Sequence, residues 1–152
     1  MMNKEAQLYW DAFWEGKEKP KSVIAEQFGF DEIADELAQL IIDGKKTATC
    51  SAHVLYELEN EPLPAVDRYS IVLNSKNSPV AIIRTKEVKL IKMNEVPESL
   101  ALEEGEGDLT YEYWWNGHEK IFTLELKEHG LDFSDDMLLV FERFELINVK
   151  GE

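Results

Sequence analysis

A compact group of polar side chains lies in the segment Gly44-Lys45-Lys46-Thr47-Ala48-Thr49. A helical pattern of apolar residues stops at Gly44, and small and hydroxyl-bearing residues alternate from Thr47 onward. The segment therefore predicts a helix-to-strand turn that offers two ammonium groups and two hydroxyl groups to a polar ligand. Lysines behind a helix also stabilise its dipole, so a purely structural role stays open.

A second polar segment, Glu103-Glu104-Gly105-Glu106-Gly107-Asp108, is acidic and interrupted by glycines. The helix predicted after it carries Tyr111 and Trp114, and an exposed aromatic ring at this place could stack on a heterocyclic base. Trp10 and Trp14 share an apolar stripe with Phe13 and are expected in the core instead. A solvated acidic turn is the structural alternative for the glutamates.

The sequence has one cysteine, Cys50, and three histidines, His53, His118 and His129. Their spacing fits no common metal-binding pattern, so we expect neither a structural zinc ion nor another cofactor. A single cysteine cannot form an intrachain disulfide and fits a reducing compartment. Since no secretory leader and no apolar run of about 20 residues is present, we expect a cytoplasmic location and no membrane partner.

The chain carries 31 acidic and 16 basic residues, for a formal net charge of −15. A field of this sign repels the phosphate backbone of long duplex nucleic acids. Charges further away than about 8 Å are largely screened at physiological salt, so a local pocket still permits a small nucleoside or a short RNA. The oligomeric state is left undetermined.

Hydrophobic periodicity predicts a single α+β domain over residues 1–152, with helices around a small, mostly antiparallel β-barrel of five or six strands. Asn3 is expected to cap the first helix and Asp108 the last one. Residues 17–21 are expected to form a loop, followed by an apolar patch at Val23, Ile24, Phe28 and Phe30. The predicted helices cover residues 3–16, 31–44, 53–60 and 108–130, and the predicted strands cover 47–52, 69–74, 80–91 and 137–147. Residues 94–104 are expected to form a short helix or a pair of turns.

Three segments together resemble the ASCH domain family, which is related to RNA-binding PUA domains. The turn at Gly44 to Thr49 is similar to the family's G-x-K-T motif, residues 101–114 resemble its acidic stretch, and residues 137–144 resemble its closing strand. The resemblance covers a core of residues 28–148 and makes residues 1–27 an N-terminal helical extension. It implies a PUA-like barrel and binding of RNA or a modified nucleoside.

Some small bacterial ASCH proteins hydrolyse N4-acetylcytidine, and the resemblance transfers their three catalytic roles to this chain. Thr49 would be the nucleophile, Lys46 the base and Glu104 the acid for the leaving amine. Lys46 could act as a base only if its pKa fell from about 10.4 to 7 or 8, which an ionised Glu104 nearby opposes. Residues three apart on a flat strand also point to opposite faces, so Lys46 has to lie in the turn.

Besides a structural or adaptor protein without a polar ligand, the sequence leaves three functional alternatives open. The first is a pocket that binds a modified nucleoside or short RNA, with or without hydrolysis of an N4-acetylcytidine-type amide. The second is a ribonuclease in which Lys46 stabilises phosphate charge. The third is a non-catalytic module that senses RNA or a nucleotide. Further ligand contacts are expected from Lys45, Thr47, Ser51, Glu106, Tyr111 and Trp114.

Overall fold

A computed structural model gives the fold of residues 2–29 and 31–151. The helices are α1 (Lys4–Phe13), α2 (Asp31–Ile42), α3 (His53–Leu58), α4 (Glu98–Ala101) and α5 (Tyr111–Lys127). Short 3-10 turns cover Met93–Glu95 and Leu102–Glu104. The strands are β1 (Val23–Gln27), β2 (Ala48–Ala52), β3 (Tyr69–Leu73), β4 (Pro79–Lys92) and β5 (Leu138–Val149).

The five strands form one curled sheet, a half-barrel, in the order β1-β3-β4-β5-β2. All neighbours pair antiparallel except β1 and β3, which run parallel. The long strands β4 and β5 connect the two ends of the sheet and pair along most of their length. The predicted α+β class with a small PUA-like sheet of five or six strands is confirmed.

Helices α1 and α2 cover opposite faces of the sheet. Trp10 of α1 packs with Ile71, whereas Ile41 of α2 packs with Val72. Successive residues of a strand point to opposite faces, so the neighbours Ile71 and Val72 serve the two helices separately. A third apolar cluster joins α4 and α5 to β5, where Trp114 packs near Phe141.

Part of the predicted N-terminal extension, residues 1–27, contributes a strand to the sheet. Val23 and Ile24, expected in an apolar patch that covers the core, belong to β1, which pairs with β3 at the edge of the sheet. The capping role of Asn3 is confirmed, because its side chain accepts a hydrogen bond from the Ala6 amide at 2.8 Å. Phe30 lies outside the described residues.

The last helix begins two residues later than expected. Thr110, not Asp108, is its N-cap and accepts a hydrogen bond from the Tyr113 amide. Asp108 instead accepts hydrogen bonds from the amide and the hydroxyl of Thr110. Both residue types suit this position, so the side-chain pattern could not distinguish them. Among the described helices, none is long and apolar enough to cross a membrane.

Candidate functional site

The Lys45-Lys46-Thr47 segment is a turn fixed by its backbone at both ends. The Lys46 amide donates to the Leu40 carbonyl of α2 at 3.1 Å, and the Thr47 amide donates to the Glu103 carbonyl at 2.8 Å. Lys46 therefore precedes the regular part of β2, as its predicted role requires. The turn joins α2, β2 and the acidic segment in one place.

Gly105 explains how the acidic segment comes so close to this turn. Its φ of +67° lies in the left-handed region, and a Cβ atom on it would be 2.2 Å from the Lys45 carbonyl oxygen. Only glycine fits both conditions without strain. The flanking Glu104 and Glu106 are thereby held against Lys46.

Lys46, Glu104 and Glu106 form a buried ion-pair network. The Lys46 Nζ atom lies 3.3 Å from Glu104 Oε1 and 2.7 Å from Glu106 Oε2. The Lys46 side chain is 1% exposed and that of Glu104 is 2% exposed, whereas Glu106 keeps 26% of its surface. Two of the three charges are thus shielded from water, and Glu106 connects them to the surface.

The other oxygen of Glu104 faces three different side chains. Cys50 donates its thiol hydrogen to Oε2 at 3.2 Å, and the Trp114 indole N–H donates to the same atom. His118 Nε2 also lies 3.2 Å from Oε2. We call Cys50, Lys46, Glu104, Glu106 and His118 the turn cluster.

The charge states within the turn cluster follow from these contacts. Burial disfavours the charged form of Lys46, but the two carboxylates outweigh it, and the pKa of Lys46 is raised. Burial also opposes ionisation of Glu104, yet Lys46 and His118 lower the pKa of Glu104 to about 2. Both groups are therefore charged at neutral pH, and Lys46 is not a base in this state.

Cys50 and His118 respond to the same carboxylate. Burial and then the negative charge of Glu104 raise the pKa of the Cys50 thiol well above its usual value. Burial favours neutral His118, but Glu104 reverses the effect and raises the pKa of His118. The carboxylate of Glu104 is thus the electrostatic centre of the turn cluster.

Thr49 and Ser51 lie on the other side of β2. Cys50 points to Glu104, so its neighbours in the strand point to the opposite face. The Ser51 hydroxyl is 2.7 Å from the Tyr56 hydroxyl on that face. No hydrogen bond joins the Thr49 hydroxyl to Lys46 or Glu104. Of the three predicted catalytic side chains, the structure brings only Lys46 and Glu104 together.

The face that carries Thr49 has a polar group of its own, which we call the strand cluster: Glu26, Tyr56, Arg68, Thr85 and Glu142. Thr85 donates a hydrogen bond to Glu142, and Arg68 Nη2 is 3.6 Å from the same carboxylate. Burial, followed by the charge of Glu142, raises the pKa of Glu26 to about 7. A cavity of about 330 Å³ adjoins Glu26, Tyr56 and Arg68.

The other residues that were predicted to contact a ligand lie either at the surface or in the core. Lys45 is exposed, and the Thr47 hydroxyl donates a long hydrogen bond of 3.4 Å to the Glu103 carbonyl. Tyr111 donates its hydroxyl hydrogen to the Val96 carbonyl at 2.8 Å. Trp114 is 4% exposed, so the prediction of an open stacking face there is wrong. Its indole is needed both for packing on Phe141 and for the hydrogen bond to Glu104.

A cavity of about 170 Å³ lies next to the turn cluster, between α2 and α5. Its apolar wall includes Ile33, Leu37 and Ile121, and its polar part includes Glu106 and His118. The remaining lining residues are Glu36, Leu40, Ala101, Leu102, Gly107, Thr110, Tyr113, Trp114 and Gly117. We call this space the α2–α5 cavity.

Sequence reasoning missed Cys50 and His118 as members of the site. Cys50 is 54 residues before Glu104, and His118 is 14 residues after it, so no short motif contains them. The one available signal was the position of Cys50 directly after Thr49, the predicted nucleophile. That position gave no partner for the thiol.

Comparisons with known proteins agree with this architecture. A model of the ASCH domain family matches residues 24–148. The crystal structure of an ASCH domain from Lactobacillus crispatus is 34% identical, with a TM-score of 0.91 and 95% of each chain covered. A crystal structure from Enterococcus faecalis is 37% identical, with a TM-score of 0.85, and covers 97% of this chain and 91% of that one.

A more distant structure, an ASCH protein from Zymomonas mobilis, is 14% identical with a TM-score of 0.50 and covers 84% of this chain and 70% of its own. At that identity it shows the fold alone. The search of curated proteins found no significant match. The family match spans most of the chain, and two solved relatives above 30% identity span nearly all of it, so this protein belongs to the ASCH domain family.

Proposed function

We propose that this ASCH domain binds a nucleoside-like heterocycle, either free or at the end of a short RNA, in the α2–α5 cavity. The observation that carries the proposal is the position of this cavity beside a buried network of opposite charges. Apolar walls accept the ring, and Glu106 and His118 offer polar partners for its edge. A cleft with mostly apolar walls and a few convergent polar groups is the usual form of a small-molecule site.

The volume of the cavity supports a single ring rather than a polymer. A protein cavity of about 150 Å³ is sufficient to bind benzene. At about 170 Å³, the α2–α5 cavity has room for one heterocyclic base, with its sugar toward the opening. Tyr113 lines this cavity with 49% of its surface exposed and takes the stacking role that the sequence assigned to Trp114.

The charges of the cavity favour a base over a phosphate. Its acidic lining residues are Glu36 and Glu106, and the described lining contains no lysine or arginine. A carboxylate accepts hydrogen bonds from the amino group of a base and repels phosphate. These features, together with a net charge of −15, support a nucleoside as the ligand.

The ribonuclease alternative has less support, because its predicted phosphate-binding cation is already paired. Lys46 is 1% exposed and contacts two carboxylates. Arg143 of β5, which lines a second pocket together with Lys46, donates to Glu103 and Glu87. Neither side chain is free to stabilise a phosphate without first giving up a partner.

Hydrolysis of an N4-acetylcytidine-type amide is a second candidate, favoured by the contact between Lys46 and Glu104. In the charge states described above, Lys46 would first have to release Glu106 and would then donate a hydrogen bond to the developing oxyanion. The nucleophile would have to be a group other than Thr49. Release of acetate from N4-acetylcytidine by the purified protein, lost in Lys46→Ala, is the expected result. A rate no faster than that in buffer would reject hydrolysis and leave binding untouched.

Gly117 offers a sharp test of binding. It lines the cavity within α5, and a Cβ atom there would contact nothing within 4 Å. Gly117→Leu places a large side chain into the cavity, and both Leu and Ala favour a helix over Gly by up to about 1 kcal/mol. The variant should therefore fold and should lose the ligand.

The measurement is a calorimetric titration with a panel of nucleosides and bases, together with melting temperatures, since a ligand of the native state raises them. We expect wild type and Gly117→Ala to bind the same nucleoside and Gly117→Leu to bind at least about tenfold more weakly. Equal affinity in the Leu variant, or no binding across the panel, would contradict the proposal.

A further inference from the structure

Three side chains of different chemical types meet in the turn cluster. Cys50 belongs to β2, Glu104 to a 3-10 turn and His118 to α5, and their ligand atoms all lie within 4.8 Å of one another. Sulfur, carboxylate oxygen and imidazole nitrogen are the donors that Zn²⁺ takes in proteins. The three elements thus bring a thiol, a carboxylate and an imidazole together as possible metal ligands.

Two of the three distances between the donors match those around a single ion. Zinc binds sulfur at about 2.3 Å and nitrogen or oxygen at about 2.0 to 2.1 Å, which separates neighbouring tetrahedral donors by about 3.3 to 3.5 Å. Glu104 Oε2 is 3.2 Å from Cys50 Sγ and 3.2 Å from His118 Nε2. The third pair, Cys50 Sγ and His118 Nε2, lies within 4.8 Å. Rotation of these two side chains by up to about 1 Å toward each other would complete the tetrahedral spacing.

The orientation of His118 provides an independent observation. Its Nδ1 atom is 2.8 Å from the Trp114 carbonyl oxygen, which only accepts, so Nδ1 carries a hydrogen. Nε2 then faces the carboxylate of Glu104, and two acceptors at this distance require a proton or a cation between them. A ring N–H donated to a backbone carbonyl is also the usual way in which metal-binding histidines are oriented.

The surrounding charges suit a cation. Two carboxylates, those of Glu104 and Glu106, face the single ammonium group of Lys46. The ion would bind Cys50 as the thiolate, so the thiol proton would leave to the solvent. Lys46 stays on Oε1, the side of the carboxylate away from the donors.

We propose that Cys50 Sγ, Glu104 Oε2 and His118 Nε2 bind a zinc-class divalent metal ion. Three protein ligands leave one position of a tetrahedral ion for water or for a ligand from the α2–α5 cavity, which His118 also lines. This is the ligand count of catalytic rather than structural zinc sites. Trp114 supports the site from outside, because its indole N–H holds Oε2.

The test uses Co²⁺ as a spectroscopic substitute for Zn²⁺, on untagged protein first treated with a chelator. Because Cys50 is the only cysteine, a thiolate-to-cobalt charge-transfer band assigns the sulfur ligand without ambiguity. We expect one Co²⁺ per chain, the charge-transfer band, its removal by Zn²⁺ and a higher melting temperature with Zn²⁺ alone.

Cys50→Ser should abolish the band. His118→Gln should weaken metal binding by at least about tenfold, because the loss of a residue that only hydrogen-bonds to a metal ligand already has an effect of that size. His129→Gln, outside the cluster, is the matched control and should bind like wild type. A cobalt spectrum without a thiolate band in wild type would overturn the proposal, as would unchanged Zn²⁺ affinity in both ligand variants. No nucleoside is present, so this outcome is separate from that of the Gly117 experiment.

Discussion

The turn cluster and the strand cluster lie on opposite sides of β2, and they shift the pKa of a carboxyl group in opposite directions. In the turn cluster, Lys46 contacts two carboxylates, and the pKa of Glu104 falls to about 2. In the strand cluster, Arg68 is 3.6 Å from Glu142 but does not balance Glu26, whose pKa rises to about 7. A carboxylate shielded from water is thus ionised on one face and protonated up to a pH of about 7 on the other, depending on the nearest cation.

Hydrogen bonding shows the same contrast. Both oxygens of Glu104 accept hydrogen bonds from defined donors. Within the described residues, the buried Arg68 Nε atom has no hydrogen-bond partner. The turn cluster is therefore the preorganised network, and removing one of its members should cost more than removing one from the strand cluster.

Replacement of Lys46 should have the largest effect. Lys46→Met keeps the length of the side chain but leaves Glu104 and Glu106 buried without a cation, which typically costs about 3 to 5 kcal/mol of unfolding free energy. Urea denaturation at neutral pH measures the loss, and Lys45→Met, at the exposed neighbouring position, is the control. Addition of Glu104→Gln should recover part of the loss. A Lys46→Met protein as stable as wild type would contradict the ion-pair assignment.

Glu26→Gln should increase the free energy of unfolding, whereas Lys46→Met lowers it. Folded protein keeps the Glu26 proton up to pH about 7, whereas the unfolded chain releases it near its ordinary pKa of 4.5. The free energy of unfolding therefore falls as pH rises from about 4.5 to 7 and stays low above that. Glutamine removes this loss, so we expect a gain of about 3 kcal/mol at pH 8 and none at pH 4.

Denaturant titrations at the two pH values measure this difference. Glu57→Gln, at an exposed position of α3, is the matched control. Equal gains at pH 4 and pH 8 would show that the effect does not come from the ionisation of Glu26.

Trp114→Phe tests the support of Glu104 by its hydrogen-bond donors. The phenyl ring keeps most of the apolar contact but lacks the N–H group, and a hydrogen bond to a charged group contributes about 1.5 to 3 kcal/mol. The neighbouring Trp115 donates to exposed Glu119 at 3.1 Å, so Trp115→Phe is a matched control with an expected loss below about 0.5 kcal/mol. Equal losses in the two variants would remove the distinction between a buried and an exposed acceptor.

Thr49→Val should have the smallest effect. The hydroxyl is not bonded to the turn cluster, and Val has nearly the same shape, so stability should change by no more than about 0.5 kcal/mol. Nucleoside affinity should stay within about twofold of wild type. A loss of binding would place Thr49 in the ligand site after all and restore the predicted trio of Lys46, Thr49 and Glu104.

The sequence alone predicted the fold class and most elements. Asn3 as a cap, the apolar stripe of α2 and the alternation in β5 each depend on neighbours within a few residues, which a linear pattern records. It missed β1, whose five residues are all half-buried and lack a clear alternation. The parallel pairing of β1 with β3 links residues about 46 positions apart, so the sequence of neither strand predicts it.

The sequence also determined that Lys46 and an acidic partner belong to one site, because the family motif and the glycines around Glu104 constrain the backbone locally. Only the tertiary structure decided which side chains share that site. The pleat of β2 directs Cys50 to Glu104 and Thr49 away from it, and the docking of α5 brings in His118. The physical reason is that a contact across long chain separation depends on the register and packing of several elements at once, and no single segment contains that information.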